Sequence, residues 1–181
     1  MAAAQTLKSD TIHLGKTISL FIETVRLPDG HVVEREVIRH PGAVAMVPLH
    51  ANGRVTFVRQ FRLAAGRELL EIPAGTMEPG ETPEVCATRE LQEEAGLLPA
   101  NLNSLGGIFA APGYTSEYLH LFLATGLTPS RLQADADEFL EVVTLPFADA
   151  LDLVRTGQIV DAKTISGLLL ARRLLAAQGE P

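Results

Sequence analysis

Apolar and β-branched runs divide most of the chain into short strands. Two of them, "KTISLFIETVRL" and "HVVEREVIRH", are joined by "PDG", which is typical of a turn, so the sequence predicts a β-hairpin within the first forty residues. Further runs with strand character are "AVAMVPL", "RVTFVRQFR", "ELLEIPAG", "GGIFAAPG", "EYLHLFLATGL" and "EFLEVVTL". Since a hairpin is too small to be stable alone, we expect it to pack on the main domain or on a second subunit.

Helical periodicity appears in two segments near the end of the chain. "PFADALDLVRTG" has apolar residues at positions 147, 151 and 154 before Gly157, and "DAKTISGLLLARRLLAAQG" is apolar on one side with Arg172 and Arg173 on the other. Strands combined with such helices predict an α/β (α+β) sandwich with a mixed sheet. We assign residues 1–40 to an N-terminal β extension and residues 41–181 to the main domain.

Composition excludes several classes of function. An apolar fraction of 46% indicates a folded globular protein, and a net charge of −7 without a Lys/Arg cluster argues against a nucleic-acid partner. The single cysteine excludes an internal disulfide. Neither a leader pattern in "MAAAQTLKSD" nor an apolar run approaching the ~20 residues that span a bilayer is present, so we expect a cytoplasmic protein with no membrane partner.

The most distinctive segment is "GTMEPGETPEVCATRELQEEAGL", which is rich in glutamate. Thr82 and Pro83 are typical of a helix start, and Gly96 predicts a helix end near residue 95. On that helix Glu90 and Glu94 lie within about 40° of each other, and Glu93 lies about 60° to the other side. We expect the packing face to consist of the residues opposite them, namely Val85, Thr88, Leu91, Gln92 and Ala95.

Two interpretations of these glutamates are open from the residues alone. They can form a solvated face on which Arg89 pairs with Glu93, as most charged helix faces do. Alternatively, they converge on a divalent cation that relieves their repulsion, and ligation by oxygen alone suits magnesium or manganese.

The spacing of this segment resembles the Nudix box at every specified position. Gly75 is followed after five residues by Glu81, after seven more by "REL", and then by "EE" and "GL". The resemblance implies a Nudix-type α/β/α sandwich that hydrolyses a nucleoside diphosphate linked to another moiety. It also implies two or three Mg²⁺ ions per site, with Mn²⁺ as a possible substitute. The implied metal ligands are Glu90, Glu94, Glu93 and the carbonyl of Ala74, and Arg89 is implied to be an orienting catalytic residue that forms a salt bridge with a box glutamate.

Segments outside the box resemble the ADP-ribose pyrophosphatase branch of that family. They include "HPGAVAMVPL", "VRQFR", "LEIPAG" and "APGYTSE". The resemblance implies hydrolysis of ADP-ribose to AMP and ribose 5-phosphate by a homodimer. The implied substrate-binding residues are Arg35, Arg62, Glu81, Pro112 and Glu117. Two alternatives are another nucleoside diphosphate sugar or derivative as substrate, and a non-catalytic ligand-binding regulator, although such regulators typically lose box glutamates.

The resemblance to this branch also implies a general base in an acidic loop near the C-terminal strand, where the chain has the segment "DADEFLE". It offers Asp135, Asp137, Glu138 and Glu141, of which we favour Glu138, with Glu93 of the box as the alternative catalytic carboxylate. Cys86 occupies a position that the box leaves free, so we expect it to be a packing residue.

Overall fold

The computed structural model describes residues 3–133 and 139–179. Its helices are α1 (Pro83–Glu94), α2 (Phe147–Arg155) and α3 (Ala162–Gln178). Its strands are β1 (Gln5–Leu14), β2 (Ser19–Arg26), β3 (Val32–Arg39), β4 (Ala43–Pro48), β5 (Arg54–Arg62), β6 (Arg67–Glu71), β7 (Ala74–Thr76), β8 (Leu97–Leu98), β9 (Asn101–Phe109), β10 (Tyr118–Thr125), β11 (Thr128–Pro129) and β12 (Glu141–Pro146).

The first of two compact units contains the described residues up to Gly42 together with Phe109–Tyr118. Its sheet has the order β1-β2-β3, and both pairings are antiparallel. The sequence pattern predicted only the β2–β3 hairpin, so the third strand is a correction. Because β1 is exposed along nearly its whole length, it lacks the alternation of apolar and polar positions that reveals a half-buried strand.

The segment Phe109–Tyr118 is tied to β3 by backbone hydrogen bonds. Ile38 N donates to Tyr114 O at 2.7 Å, and Ser116 N donates to Ile38 O at 2.9 Å. No sequence pattern indicated that this segment would join the first unit, because a pairing across more than seventy residues leaves no local signature.

The second unit contains Ala43–Ile108 and the described residues from Leu119 onward. Its four-stranded sheet has the order β7-β4-β10-β9, in which β4 runs parallel to β10 and antiparallel to β7. The mixed sheet expected from the sequence is therefore confirmed. A second sheet has the antiparallel order β12-β5-β6, and the two-residue strands β8 and β11 pair separately.

Successive residues of β4 supply two different hydrophobic layers. Ala45 and Val47 belong to the cluster that includes residues of α3, whereas Val44 and Met46 belong to the cluster that includes residues of α1. Because successive side chains of a strand point to opposite faces, one buried strand holds a helix on each side. The α/β/α sandwich is confirmed by this arrangement.

The helix ends follow the capping residues. In α1 the hydroxyl of Thr82 accepts a hydrogen bond from Val85 N at 3.4 Å, and Gly96 has a φ of 67° just after the helix. In α3 the carboxylate of Asp161 accepts from Thr164 N at 3.0 Å. Among the described helices, none is both long and apolar enough to cross a membrane.

Candidate active site

The acidic side of helix α1 is not exposed but packs against β4 and β7. Glu90 is 8% exposed and Glu94 is 3% exposed, and they share the buried side of the helix with Cys86, Ala87 and Leu91. The packing face expected from the sequence was therefore right at Leu91 and Ala95, which lie in or against the hydrophobic cluster that α1 shares with β4, and wrong in part. Val85, for example, is exposed. Periodicity grouped the glutamates correctly but could not show which side faces the sheet.

The Glu90 carboxylate lies directly against the backbone of Gly75. A Cβ atom on residue 75 would lie 1.8 Å from Glu90 Cδ and 2.0 Å from Glu90 Oε1. Such contacts are far below any van der Waals separation, so only glycine leaves room for this carboxylate. This explains in steric terms why the box begins with a glycine.

The backbone before Gly75 is held from three directions. Ala74 N donates to Glu94 Oε2 at 2.9 Å, Met46 N donates to Pro73 O at 2.9 Å, and Ile72 N donates to Thr164 Oγ1 at 2.9 Å. A helix on each face of the sheet and strand β4 thus fix the turn that carries the Ala74 carbonyl. Buried backbone groups that are paired in this way are rigidly oriented.

Arg89 joins three of the box carboxylates. Its Nε and Nη2 atoms donate to the two oxygens of Glu81, each at 3.0 Å. Its Nη1 atom donates to Glu90 Oε1 at 2.7 Å and to Glu93 Oε2 at 3.0 Å. A bidentate guanidinium–carboxylate pair fixes the plane of both groups, so Arg89 orients the glutamates on each side of it. The expected salt bridge with Glu81 is thus present in the structure.

These contacts change the ionisation of both partners. Hydrogen bonds from Arg89 hold the pKa of Glu81 at about 2. Conversely, hydrogen bonds to Glu81, and then to Glu90 and Glu93, raise the pKa of Arg89. Both groups are therefore charged at neutral pH, and the salt bridge persists over the whole physiological range.

The donor set suits a hard divalent cation. One guanidinium, that of Arg89, contacts Glu81, Glu90 and Glu93, and Glu94 accepts from Ala74 N, so acidic groups outnumber the cation and every donor is an oxygen. Over residues 3–133 and 139–179, no three acidic, histidine or cysteine side chains are arranged around one point as metal ligands. Arg89 instead links Glu90 and Glu93. The residues fit magnesium by chemistry, with Glu90, Glu93, Glu94 and the Ala74 carbonyl as candidate holders.

A second charged group in the same unit surrounds Glu71, at the end of β6. Arg62 donates to Glu71 from Nε and Nη2, the shortest distance being 2.6 Å, and Lys163 Nζ lies 3.0 Å from Glu71 Oε2. Lys163 also lies 3.0 Å from Asp161 Oδ2. Of these residues only Arg62 was expected from the sequence to have a functional role. The "D-x-x-T" cap at Asp161 was a visible signal for the start of α3, whereas nothing local marked Glu71 or Lys163.

Three expected substrate contacts belong to the first unit. Arg35 lies on β3, where its Nη1 donates to the carbonyl of Glu34 at 3.0 Å. Pro112 lies in the turn closed by Tyr114 N donating to Ala111 O, and the Glu117 carbonyl accepts from Ala110 N at 3.0 Å. Their role in substrate binding stays a prediction.

The acidic segment expected to supply the general base is described only in part. Asp135, Asp137 and Glu138 lie outside the described residues, so the assignment to Glu138 stays a prediction. Glu141 begins β12 and forms an exposed ion pair with Arg59 at 3.1 Å.

Cys86 is buried as expected. Its thiol lies 3.6 Å from Thr76 O, and burial, followed by its hydrogen bond with Glu81, raises the pKa of Cys86 to about 12. A thiol that stays protonated is a poor nucleophile, so Cys86 is a packing residue rather than a catalytic one.

Comparison with known proteins agrees with this geometry. Residues 39–168 match the family described as the NUDIX domain. The chain is 41% identical over 162 residues to an ADP-ribose pyrophosphatase of Bacillus subtilis, covering 88% of each protein. It is 37% identical over 182 residues to an ADP-ribose pyrophosphatase of Mycobacterium tuberculosis, covering 98% of this chain and 87% of that protein.

A solved structure described as an ADP compounds hydrolase has the same fold. Its TM-score with this protein is 0.89 and its sequence identity is 26%. The match covers 100% of this chain and 98% of the chain in the solved structure. The family match spans most of the chain and includes the residues gathered around Arg89. The resemblance stated from the box is confirmed, and this chain belongs to the Nudix family of pyrophosphohydrolases.

Proposed function

We propose that the protein hydrolyses the pyrophosphate bond of ADP-ribose, with magnesium, to give AMP and ribose 5-phosphate. The observation that carries the proposal is the group of glutamates held by Arg89 against the backbone of Ala74 and Gly75. The proposal is also supported by the two ADP-ribose pyrophosphatases compared above, which are similar to this chain over at least 87% of their length.

The carboxylates provide the negative charge that would hold metal cations for the reaction. A pyrophosphate diester carries two negative charges and repels an attacking oxygen nucleophile. Magnesium, when bound, supplies the positive charge that neutralises the pyrophosphate and lowers the pKa of water. Glu90, Glu93, Glu94 and the Ala74 carbonyl would hold the two or three ions, and manganese would substitute because it accepts the same oxygen donors.

The remaining chemistry falls to the side chains of the chain itself. Arg89 keeps Glu90 and Glu93 oriented, and Glu81 keeps Arg89 in place. We assign to Glu138 the removal of a proton from the attacking water, with Glu93 as the alternative carboxylate. One P–O bond to the bridging oxygen breaks, and the water oxygen is added to the phosphorus, so the products are AMP and ribose 5-phosphate.

Substrate contacts are assigned to Arg62, Arg35, Glu81, Pro112 and Glu117. Arg62 is the only cation among them that lies in the same unit as the box. Its pKa is lowered by burial, but hydrogen bonds and charge from Glu71 and the charge of Glu94 outweigh burial and raise it. Arg62 therefore keeps its positive charge, which suits contact with a phosphate oxygen, and it lies close enough to Glu94 to interact with the charge of that residue.

We also propose a homodimer that acts in the cytoplasm and whose pocket includes residues of both chains. The first unit exposes several large apolar side chains along its sheet, namely Leu7, Ile12, Leu14 and Val32. Exposed apolar side chains on a small sheet favour burial in a subunit interface. Sedimentation at micromolar concentration tests this, and a fully active monomer would exclude it.

The direct test of function is product release. Wild-type protein is incubated with ADP-ribose and a panel of other nucleoside diphosphate sugars, with magnesium or with a chelator. We expect AMP and ribose 5-phosphate from ADP-ribose, and no turnover in the chelator. Preferential hydrolysis of another nucleotide sugar would make that compound the assigned substrate, and the proposed role of the metal would not change. Activity in the chelator would refute the metal mechanism.

A further inference from the structure

The charged group around Glu71 contains two cations and two anions. Arg62 binds Glu71 through its Nε and Nη2 atoms, and Lys163 bridges Glu71 and Asp161 at 3.0 Å each. Glu71 is 2% exposed. A carboxylate removed from water to this degree is stable only when cations and hydrogen bonds compensate its charge, and here both cations do so.

Glu71 binds one edge of the Arg62 guanidinium and leaves the other. Within residues 3–133 and 139–179, the Nη1 atom of Arg62 makes no hydrogen bond, and its side chain is 39% exposed. A bidentate pair fixes the plane of the guanidinium, so the direction of Nη1 is set as well. This arginine is oriented before any ligand arrives.

The same cluster is attached to the turn that carries the candidate metal ligand. Glu71 is followed by Ile72, whose N–H donates to the buried hydroxyl of Thr164, and then by Pro73 and Ala74. The first turn of α3 therefore restrains both the Arg62–Glu71 pair and the backbone leading to Ala74. The charge of Glu94 also acts on Arg62.

We propose that Glu71 is a positioning residue for substrate binding. It orients Arg62 so that the Nη1 edge meets a non-bridging oxygen of the pyrophosphate, and Lys163 holds the Glu71 carboxylate in place by separating it from Asp161. This inference rests on the proposed pyrophosphatase function, because Arg62 is its phosphate contact. Preorganisation of this kind increases affinity because the arginine loses little rotamer freedom on binding.

Positioning and simple electrostatics predict opposite effects of one substitution. Glu71→Gln removes a negative charge close to a dianionic substrate, so electrostatics alone predicts tighter binding. Positioning predicts weaker binding, because the neutral amide no longer holds both nitrogens of Arg62. The effect must also pass through the arginine, so Glu71→Gln should change little in an Arg62→Ala background.

The experiment measures ADP-ribose affinity by calorimetry in a chelator, where no turnover interferes. We expect Glu71→Gln to weaken binding by about tenfold, as befits the misplacement of one ionic hydrogen bond. With magnesium, KM should rise similarly while kcat and the magnesium requirement stay within about threefold. Lys163→Met tests the same arrangement at a second position, and Lys163→Arg should restore affinity because it keeps the charge.

Arg155→Met is the matched control, since Arg155 forms an exposed ion pair with Asp152 on α2. This variant should bind ADP-ribose as the wild type does. Thermal unfolding establishes that each variant is folded. Equal or tighter binding by Glu71→Gln, unchanged affinity in Lys163→Met, or an undiminished effect of Glu71→Gln in the Arg62→Ala background would overturn the inference. If the wild type binds ADP-ribose without hydrolysing it, the proposed function fails while the affinity comparison still decides this inference. If the wild type neither binds ADP-ribose in the chelator nor hydrolyses it with magnesium, both fail.

Discussion

Replacing Gly75 by alanine separates catalysis from folding in this site. The new Cβ atom would lie 1.8 to 2.3 Å from the three carboxyl atoms of Glu90. Since non-bonded heavy atoms pack at about 3.5 Å or more, the carboxylate must withdraw by roughly 1.5 Å. Its 2.7 Å hydrogen bond with Arg89 cannot survive such a shift unchanged.

The expected consequences differ between stability and activity. The atoms that must move are the end of a flexible side chain, and the Gly75 backbone is not left-handed, so strand β7 accepts alanine. The gain of about 0.5–1 kcal/mol from replacing a strand glycine and the loss of about 1 kcal/mol from one hydrogen bond nearly cancel. Activity should instead fall by about 10²-fold, because displacing the proposed metal ligand Glu90 by about 1 Å or more misplaces the reacting groups.

The assay is AMP release over a range of magnesium concentrations, combined with thermal unfolding. The control places Gly75→Ala in a Glu90→Ala background, where no carboxylate meets the new methyl group and the second substitution should add nothing. Wild-type turnover and magnesium requirement in Gly75→Ala would refute the steric argument, and so would an undiminished effect in the Glu90→Ala background.

Four further predictions concern single residues. Glu94→Gln should stay folded, because an amide oxygen can still accept from Ala74 N, yet lose about 10²-fold or more in turnover; normal turnover would exclude Glu94 as a metal ligand. Glu138→Gln should lower kcat by roughly 10²–10⁴-fold with little change in KM, and a wild-type kcat would assign the base elsewhere. Because the folded pKa of Glu81 is lowered to about 2, the stability that its pair with Arg89 supplies should be complete above about pH 4.5 and be lost as the pH falls towards 2. Urea denaturation of wild type and Arg89→Met tests this, since their difference should shrink over that range. Cys86 should resist thiol reagents at pH 8 until the protein unfolds, and rapid labelling of native protein would contradict its burial and raised pKa.

Local sequence signals predicted the elements that local forces define. Thr82, Pro83 and Gly96 specified both ends of α1, because capping and left-handed glycine geometry depend only on neighbouring residues. The apolar run at Ala43–Pro48 indicated a strand, because strand character can also be read from neighbouring residues. Strand β1 was missed because its exposed residues carry no alternation, and its pairing with β2 is a property of the folded unit.

For the candidate site, the sequence by itself determined which residues belong to the box and that Glu90 and Glu94 share one side of a helix, since helix geometry follows from spacing alone. Only the tertiary structure decided that this side faces inward. The glutamate side of α1 faces inward because Gly75 leaves room for the Glu90 carboxylate and Ala74 N donates to the Glu94 carboxylate. The cluster of Arg62, Glu71 and Lys163 was also beyond local reasoning, because α3 brings Lys163 to a strand that lies about ninety residues earlier in the chain. Contacts between such distant residues are set by how the helices pack on the sheet, which no short-range pattern encodes.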